Sequence, residues 1–301
     1  MGYYSANDYF KNLFGSKVYK ITLKGGMNCP NRDGTLDTRG CIFCSPSGSG
    51  DFALPFDGNI TEILEEYSEK LKSKAKINKF ISYFQDYCNT YNTPKKLEEL
   101  YLSAIDDPRI VGLSIATRPD LLPKDILTVL DKLNRIKPVF VELGLQTIHP
   151  QTAKYIRRGY ELSVYDKAVK DLNSLGIRVI THQILGLPGE TKEMMWQTTS
   201  YIGKSGVSGI KFHLLHVIKG TDLEKDYLDG LFNTLDLNEY IDILEGCIQR
   251  IPPQMAIHRL TGDGAKKDLI APLYSGNKKM VLNEINRRLK ADGIVQGKLF
   301  V

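Results

Sequence analysis

Three cysteines close together are the residues of this sequence with the clearest capacity for chemistry. Cys29, Cys41 and Cys44 stand in a polar loop rich in glycine, asparagine and aspartate, directly after a predicted strand. Three thiolates bind three irons of a [4Fe–4S] cluster and leave the fourth iron open. A catalytic metal centre needs such an open position. The spacing therefore indicates a catalytic iron–sulfur centre held by these three residues.

Two other interpretations of the cysteines stay open. Structural zinc takes four ligands, commonly as two pairs, whereas this chain has one Cys-x2-Cys pair. Free buried cysteines are the second alternative, although a polar loop is a poor place to bury a thiol. Cys88 and Cys247 are distant in sequence from the other three and we expect both to be structural. The odd total of five cysteines argues against a disulfide framework.

The elements that position these cysteines follow a repeated strand–helix pattern. The repetition predicts parallel strands joined by right-handed crossovers, in either an open doubly wound sheet or a barrel. Predicted strands cover residues 17–23, 79–84, 110–116, 139–145, 177–185 and 209–217. Predicted helices cover residues 60–76, 94–104, 123–135, 163–175 and 190–202.

The pattern changes after residue 235, so we predict a core of residues 1–235 and an extension of residues 236–301. The extension is predicted to hold a helix over 237–250, a short strand over 255–260 and a helix over 278–291. Residues 255–301 contain nine basic and four acidic side chains, a difference that equals the net charge of +5 of the whole chain. This basic extension is either a solvated helix face or a surface for a phosphate backbone.

Composition excludes several classes of protein. A chain of 301 residues with 42% hydrophobic residues can bury a large core, which excludes a disordered protein, a collagen-like repeat and a disulfide-dense module. No apolar stretch approaches the length of a membrane span, and the first ten residues lack a signal pattern. We therefore expect a cytoplasmic protein that does not contact membranes.

The sequence resembles the radical S-adenosylmethionine (radical SAM) superfamily, in particular the group related to the radical SAM half of the Elongator catalytic subunit and its short stand-alone bacterial members. Its first cysteine gap is eleven residues, where the superfamily usually has three. The stretches that carry the resemblance are 29–44, 83–87, 117–120, 141–147, 182–190 and 258–263.

The resemblance implies a fold, two cofactors and a substrate. The fold is an α/β partial (β/α)6 TIM-like barrel with a small C-terminal α/β extension. The cofactors are a [4Fe–4S] cluster and S-adenosylmethionine, which together give a 5′-deoxyadenosyl radical. The implied substrate is tRNA, at the C5 side chain of wobble uridine, with carboxymethylaminomethyluridine converted toward aminomethyluridine. Implied partners are a low-potential electron donor such as flavodoxin or ferredoxin, and a methyltransferase acting downstream.

Several strand-end residues are candidates for contacts with the cofactors. Glu142 lies inside an apolar strand, where an ionised carboxylate is costly unless paired, so it marks a site. The resemblance assigns Arg158 to the methionyl carboxylate, which arginine binds in a bidentate manner. Gln85 stands where the superfamily usually has a glycine-rich stretch that holds the methionyl amine. The complete set of candidates is Phe43, Gln85, Glu142, Gln146, Arg158, His182, Ile184 and Gly186.

Strand ends that the cofactor does not use are expected to face the substrate. His213 and His216 lie along one predicted strand, where alternation lets at most one of them point inward. Arg259 and Asp263 flank a predicted turn at the start of the basic extension. The substrate candidates are Arg118, Asp120, His216, Lys219, Arg259 and Asp263.

Two other functions remain open. One is a radical SAM enzyme that acts on a small molecule or a protein, in which the basic extension serves only solubility. The other is a non-catalytic, zinc-bearing RNA-binding protein.

Overall fold

The computed structural model describes residues 2–45, 48, 53–71, 78–262 and 266–301. Within these residues, eight strands form one sheet in the order β2-β1-β3-β4-β5-β6-β7-β9, and every neighbouring pair is parallel. The strands of the chain are β1 Tyr19–Lys24, β2 Leu54–Pro55, β3 Phe80–Phe84, β4 Ile110–Thr117, β5 Val139–Gln146, β6 Arg178–Leu185, β7 Gly209–Leu214, β8 Val217–Ile218, β9 Ala256–Arg259 and β10 Leu269–Ala271.

Helices follow most of the strands and pack outside the sheet. They are α1 Ala6–Phe14, α2 Ile60–Leu71, α3 Pro94–Ala104, α4 Lys124–Ile136, α5 Pro150–Tyr155, α6 Leu162–Ser174, α7 Lys192–Lys204, α8 Asp222–Leu228, α9 Leu237–Gln249 and α10 Lys278–Ala291. Local chemistry fixes several helix starts. Asp236 and Glu239 form a capping box at α9, and Thr191 caps α7 through its side chain.

Alternation along β5 shows how the strands serve both faces of the sheet. Val139, Val141 and Leu143 belong to the large hydrophobic core shared with the helices. Phe140 lies in a separate cluster, and Glu142, two residues further on, lies beside the interior cavity. Because side chains of a strand alternate between faces, Glu142 faces inward, as its place in an apolar strand had indicated.

The predicted α/β partial barrel with a C-terminal extension is confirmed. The predicted strand over 209–217 divides, because β7 ends at Leu214 and β8 pairs with β10 in an antiparallel manner. The predicted helix over 60–76 corresponds to α2, and residues 72–77 lie outside the described part of the chain. Strand β9, from the predicted extension, joins the main sheet beside β7, whereas the boundary after residue 235 stays a prediction.

The N-terminal helix α1, which we did not predict, packs against the interior of the barrel. Phe10 contacts Phe140 with ring centroids 5.6 Å apart, and Ile81 and Ile180 complete the cluster. We call these four side chains the apolar layer. It lies among residues nearer the strand starts, so the cavity is confined to the carboxyl ends of the strands. No helix within the described residues is long and apolar enough to span a membrane.

Candidate active site

The three clustered cysteines lie on one cavity at the carboxyl ends of the strands. The cavity has a volume of about 630 Å³, and Cys29, Cys41 and Cys44 are all part of its lining. Strand ends from β1, β3, β4, β5, β6, β7 and β9 also contribute to the lining. The fold thus brings most of the predicted site residues to one place, as parallel strands do for residues that follow them.

The surroundings of Cys29 favour a thiolate. A hydrogen bond from the thiol of Cys88 lowers the pKa of Cys29 to about 6. Burial opposes this change, whereas the backbone N–H of Asn31 and the charges of Arg118 and Arg32 support it. The thiolate is the form that binds iron, so this environment prepares Cys29 as a ligand.

Cys41 is held in the same way by a different partner. Its neighbour Cys44 donates a hydrogen bond that lowers the pKa of Cys41, against the effect of burial. The side-chain amide of Asn31 also approaches its sulfur at 3.6 Å. Hydrogen bonds to a ligating sulfur are among the means by which proteins tune such a centre.

Cys88, which we expected to be structural, is a fourth thiol beside the other three. It follows β3, lines the cavity and contacts Cys29. The position of Cys88 just after a predicted strand was the sequence signal that it could lie beside the other cysteines. The donor set of thiols fits a cluster with several irons. Among the described residues no three Cys, His, Asp or Glu side chains are arranged as the ligands of a single metal ion.

Two arginines stack on one tyrosine next to the cysteines. Arg118 and Arg158 lie 5.1 and 4.7 Å from the ring centroid of Tyr160. Arg158 Nη1 donates to the carbonyls of Leu145 and Thr147 at 3.3 and 2.6 Å. These bonds fix the guanidinium of Arg158 at the cavity wall, where it can pair with a carboxylate.

Arg118 is a substrate candidate, and the fold places it close to the cysteines. Its Nε and Nη2 donate to both carboxylate oxygens of Asp120 at 2.9 and 2.8 Å, and its Nη1 donates to the carbonyl of Arg158 at 2.9 Å. Its charge also lowers the pKa of Cys29. Asp120 is therefore the partner of Arg118, and it is not part of the cavity lining.

Gln146 offers an acceptor to a bound molecule. It ends β5 with a φ of 64° and lines the cavity, and its buried Oε1 has no hydrogen-bond partner among the described residues. Gly144 leaves the space for this side chain, because a Cβ at that position would stand 2.5 Å from Gln146 Nε2. Gln85 lines the same cavity from the end of β3.

One side of the cavity is apolar. Phe43 packs against the cluster that contains Ile184 and Leu215, and all three side chains line the cavity. A flat aromatic ligand such as adenine fits a surface of this composition. Gly186, with a φ of 88°, forms the turn after β6 behind this surface and is not itself part of the lining.

Deeper in the barrel, Glu142 is the centre of a buried polar cluster that we call the charged layer. Lys20 Nζ lies 2.5 Å from Oε1, Ser114 Oγ donates to Oε1 at 2.7 Å, and Lys211 forms an ion pair with Oε2. Tyr83 and His182 donate to Oε2 at 2.9 and 2.8 Å. The charged layer consists of Lys20, Tyr83, Ser114, Glu142, His182 and Lys211.

The ionisation of the charged layer follows from burial and from these contacts. Burial opposes the charge of Glu142, but Lys20 and Lys211 outweigh it and hold the pKa of the carboxyl well below its usual range. Burial lowers the pKa of Lys211 to about 7, although Glu142 acts in the opposite direction. Burial also lowers the pKa of His182 to about 4, so that this side chain is neutral near pH 7.

Sequence reasoning missed the two lysines of the charged layer. Lys211 lies between apolar residues of β7, the same signal that pointed to Glu142 in β5. Lys20 precedes the buried Ile21 in β1 and thus lies on the inward-facing side of that strand. The two lysines come close to their common partner, Glu142, only in the folded barrel, so the sequence did not show the pairing.

The expectation that at most one of His213 and His216 faces inward is wrong. Both line the cavity. Because β7 ends at Leu214, strand alternation does not constrain His216. His213 lies with its ring centroid 5.0 Å from that of His182, and burial holds its pKa well below the usual range.

The remaining substrate candidates differ in their position relative to the cavity. Arg259, at the end of β9, lines the cavity. Lys219 is exposed outside the lining, where its backbone N–H donates to the carbonyl of Asp268 at 2.8 Å. Asp263 lies outside the described residues.

The basic extension places much of its charge on α10. Arg287 pairs with Glu284 at 2.6 Å, and Arg288 pairs with Asp242 at 2.7 Å. Lys279 and Lys290 are exposed at helical spacing on this element. The two arginines are thus engaged within the protein, whereas the two lysines extend into solvent.

Comparison with known proteins agrees with this architecture. The uncharacterized protein YtqA of Bacillus subtilis is 42% identical over 298 residues, which cover 99% of this chain and 92% of that protein. A more distant relative is the tRNA uridine(34) acetyltransferase of Methanocaldococcus jannaschii, 26% identical over 210 residues that cover 68% of this chain and 37% of that protein. The solved structure of archaeal Methanocaldococcus infernus Elp3, with an N-terminal deletion, has the same fold. Its TM-score is 0.71 at 18% identity, over 93% of this chain and 64% of that one.

Family models cover most of the chain. The model described as the Radical SAM superfamily matches residues 38–202, and the model described as the Radical_SAM C-terminal domain matches residues 207–291. The first match alone spans more than half of the 301 residues. The chain therefore belongs to the radical SAM superfamily, whose members bind a [4Fe–4S] cluster and S-adenosylmethionine.

Proposed function

We propose that this radical SAM enzyme modifies tRNA, at the C5 side chain of the wobble uridine. The substrate is a carboxymethylaminomethyl group, which loses a hydrogen atom from its carboxymethyl carbon and a second electron to an oxidised flavodoxin or ferredoxin, giving an imine. Water hydrolyses the imine, which releases the two carbons as glyoxylate and leaves the aminomethyl group as the product. The observation that carries the proposal is the cavity of about 630 Å³, which has thiols at its mouth and a positively charged inner end. That volume suits a cofactor together with the end of a substrate side chain.

The cysteines and the cavity wall have separate roles in this proposal. Cys29, Cys41 and Cys44 hold the cluster, and Arg158 pairs with the methionyl carboxylate. Phe43 and Ile184 lie against adenine, while Gln85 and Gln146 accept hydrogen bonds from the amine and the ribose. When bound, the cluster and S-adenosylmethionine supply a 5′-deoxyadenosyl radical that abstracts hydrogen from carbon. The barrel orients the side chain and limits its contact with bulk water.

The tRNA substrate draws support from one relative and from one surface. The Methanocaldococcus jannaschii relative carries uridine 34 of tRNA in its name. The exposed lysines 279 and 290 on α10 offer charge to a phosphate backbone. Radical SAM enzymes require an electron donor, and a low-potential flavodoxin or ferredoxin meets that need. A methyltransferase that acts on the aminomethyl product is the downstream partner.

Nucleoside mass spectrometry of tRNA from a strain lacking the gene tests the proposed function. We expect carboxymethylaminomethyluridine to accumulate and the aminomethyl nucleoside, with any methylated form, to disappear. Re-expression of the gene should restore the pattern, whereas a Cys41→Ser version should not. Unchanged tRNA nucleosides would refute the substrate.

Anaerobic reconstitution tests the cluster separately from the substrate. The reconstituted protein should be brown and contain iron and sulfide, and the Cys41→Ser protein should hold much less iron. A colourless protein that contains zinc would support the alternative of an RNA-binding protein. A Cys247→Ser variant is the matched control, because Cys247 is buried, is not part of the lining and donates no ligand in this proposal.

A further inference from the structure

The inner end of the cavity has an unusual balance of charge. Glu142 is the one carboxylate among the described residues that line the cavity, and it pairs with two lysines. Lys211 belongs to the lining, whereas Lys20 reaches Glu142 from outside it. Since Lys20 already balances Glu142, the ammonium of Lys211 adds positive charge to the cavity itself.

Arg259 strengthens this charge from the neighbouring strand. It lines the cavity at the end of β9, which pairs with β7 in a register that places Lys211 opposite Arg259. Its charge helps to lower the pKa of Lys211. Two basic side chains on adjacent strands therefore face the same interior space, and His182 and His213, which are neutral near pH 7, add no charge.

We infer that Lys211 and Arg259 form a receptor for a carboxylate group at the end of the substrate side chain. The inference rests on the proposed function, because the carboxymethylaminomethyl group ends in a carboxylate. An ammonium offers a point charge and a guanidinium offers a planar fork, and together they suit this anion. The receptor lets the enzyme distinguish its substrate from the aminomethyl product, which lacks the anion.

Depth favours a terminal carboxylate over a backbone phosphate. The side chain of Lys211 is only 5% exposed, so only a narrow terminal group reaches it. A phosphodiester carries a sugar on each side and is bulkier than a terminal carboxylate. Exposed lysines on α10 are accessible to phosphates, whereas Lys211 is not.

The state of Lys211 without substrate agrees with this role. Burial lowers its pKa to about 7, so its charge is only partly formed at neutral pH. A bound carboxylate favours the charged ammonium and raises that pKa. When no substrate is bound, the hydrogen bond from Lys211 Nζ to Tyr83 OH, at 2.9 Å, keeps the amine directed into the charged layer.

Binding measurements with two matched RNAs test the receptor. The anaerobically reconstituted protein, with S-adenosylmethionine, is titrated with an anticodon stem–loop that carries carboxymethylaminomethyluridine, and with the same RNA as its carboxamide. We expect the carboxylate RNA to bind about 10- to 100-fold tighter, because two basic side chains attract an anion more strongly than its neutral carboxamide analogue. Lys211→Met should reduce this ratio to within about threefold.

Control variants separate the receptor from folding and from the proposed function. Lys204→Met changes an exposed lysine on α7 and should keep the full ratio of affinities for the carboxylate and carboxamide RNAs. Arg259→Gln should lower this ratio, and it tests the receptor independently if Lys211→Met folds poorly. Equal or undetectable binding of the two RNAs by the native protein overturns the receptor, as does an unchanged ratio in both variants. The proposed function fails instead on product analysis, when the protein with its cofactors leaves the carboxylate RNA unmodified.

Discussion

Basic residues in the barrel interior and basic residues on α10 differ in what surrounds them. Inside, Lys20 and Lys211 share the buried carboxylate of Glu142 and are largely removed from solvent. On α10, Lys279 and Lys290 are exposed. The interior charges are fixed in position by five donors to one carboxylate, whereas the exterior charges are separate and hydrated.

This contrast shows that the net charge of a segment does not reveal where its buried charges lie. Residues 1–254 are formally neutral, and the net charge of +5 falls in residues 255–301. Yet Glu142 and the two lysines that pair with it, Lys20 and Lys211, all lie in residues 1–254. A segment with no net charge can therefore still hold a local cluster of charged side chains, because the sum of the charges says nothing about their positions.

The largest expected effect comes from removal of the shared carboxylate. Glu142→Gln leaves Lys20 and Lys211 without their counter-ion in the interior. The loss of one partner of a buried ion pair costs about 3–5 kcal/mol in the free energy of unfolding. Urea denaturation monitored by circular dichroism measures this loss.

A double variant tests the cause of that loss. Glu142→Gln combined with Lys211→Met removes one of the unpaired ammonium groups, so part of the lost stability should return. A double variant that is less stable than Glu142→Gln alone would contradict the ion-pair explanation. Lys279→Gln, which changes one exposed lysine, should leave stability within about 0.5 kcal/mol of the native protein.

An intermediate effect is expected in the pH dependence of stability. The folded protein holds the pKa of Lys211 at about 7, below its ordinary value of 10.5. Unfolding therefore takes up a proton between these values, and stability rises with pH in that window. Relative to Lys211→Met, the native protein should gain about 1 kcal/mol per pH unit between pH 7.5 and 9.

Comparison with the variant isolates Lys211 from its neighbours. The charged and titratable groups around it are Lys20, Tyr83, Glu142, His182, His213, His258 and Arg259. All of them remain in Lys211→Met. Identical pH profiles of the two proteins would show that Lys211 keeps an ordinary pKa in the folded state.

Substitution of the exposed lysines on α10 is expected to have the smallest effect on stability, but a measurable effect on the binding of tRNA. Lys279→Gln with Lys290→Gln should leave the unfolding free energy within about 0.5 kcal/mol. The logarithm of tRNA affinity should fall less steeply with the logarithm of salt concentration, by about 1 to 2 in slope. Filter binding over a salt series measures the slope, and an unchanged slope would mean that this helix does not contact the RNA.

The sequence predicted the parallel strands and the convergence of three cysteines well, because both depend on local patterns. Strand periodicity and turn residues are properties of neighbouring residues, and the ends of parallel strands meet by geometry alone. Glu142 could be singled out for the same reason, as a charge within an apolar strand.

Partners that come from distant strands could not be predicted. Lys20 and Lys211 lie 122 and 69 residues from Glu142 along the chain, so their pairing appears only in the folded barrel. The contact of Cys88 with Cys29 is of the same kind. Helix α1 was missed although the sequence carries its signals: Ser5 and Gly15 cap it, and its apolar residues recur at helical spacing.

The most direct test of the proposed function is a reaction with purified components. The anaerobically reconstituted protein, with S-adenosylmethionine and a low-potential reductant, is incubated with tRNA that carries carboxymethylaminomethyluridine, and nucleosides are analysed by mass spectrometry. We expect aminomethyluridine together with 5′-deoxyadenosine, and neither product with Cys41→Ser. Formation of 5′-deoxyadenosine from a protein with a complete cluster, with the tRNA nucleosides unchanged, would contradict it.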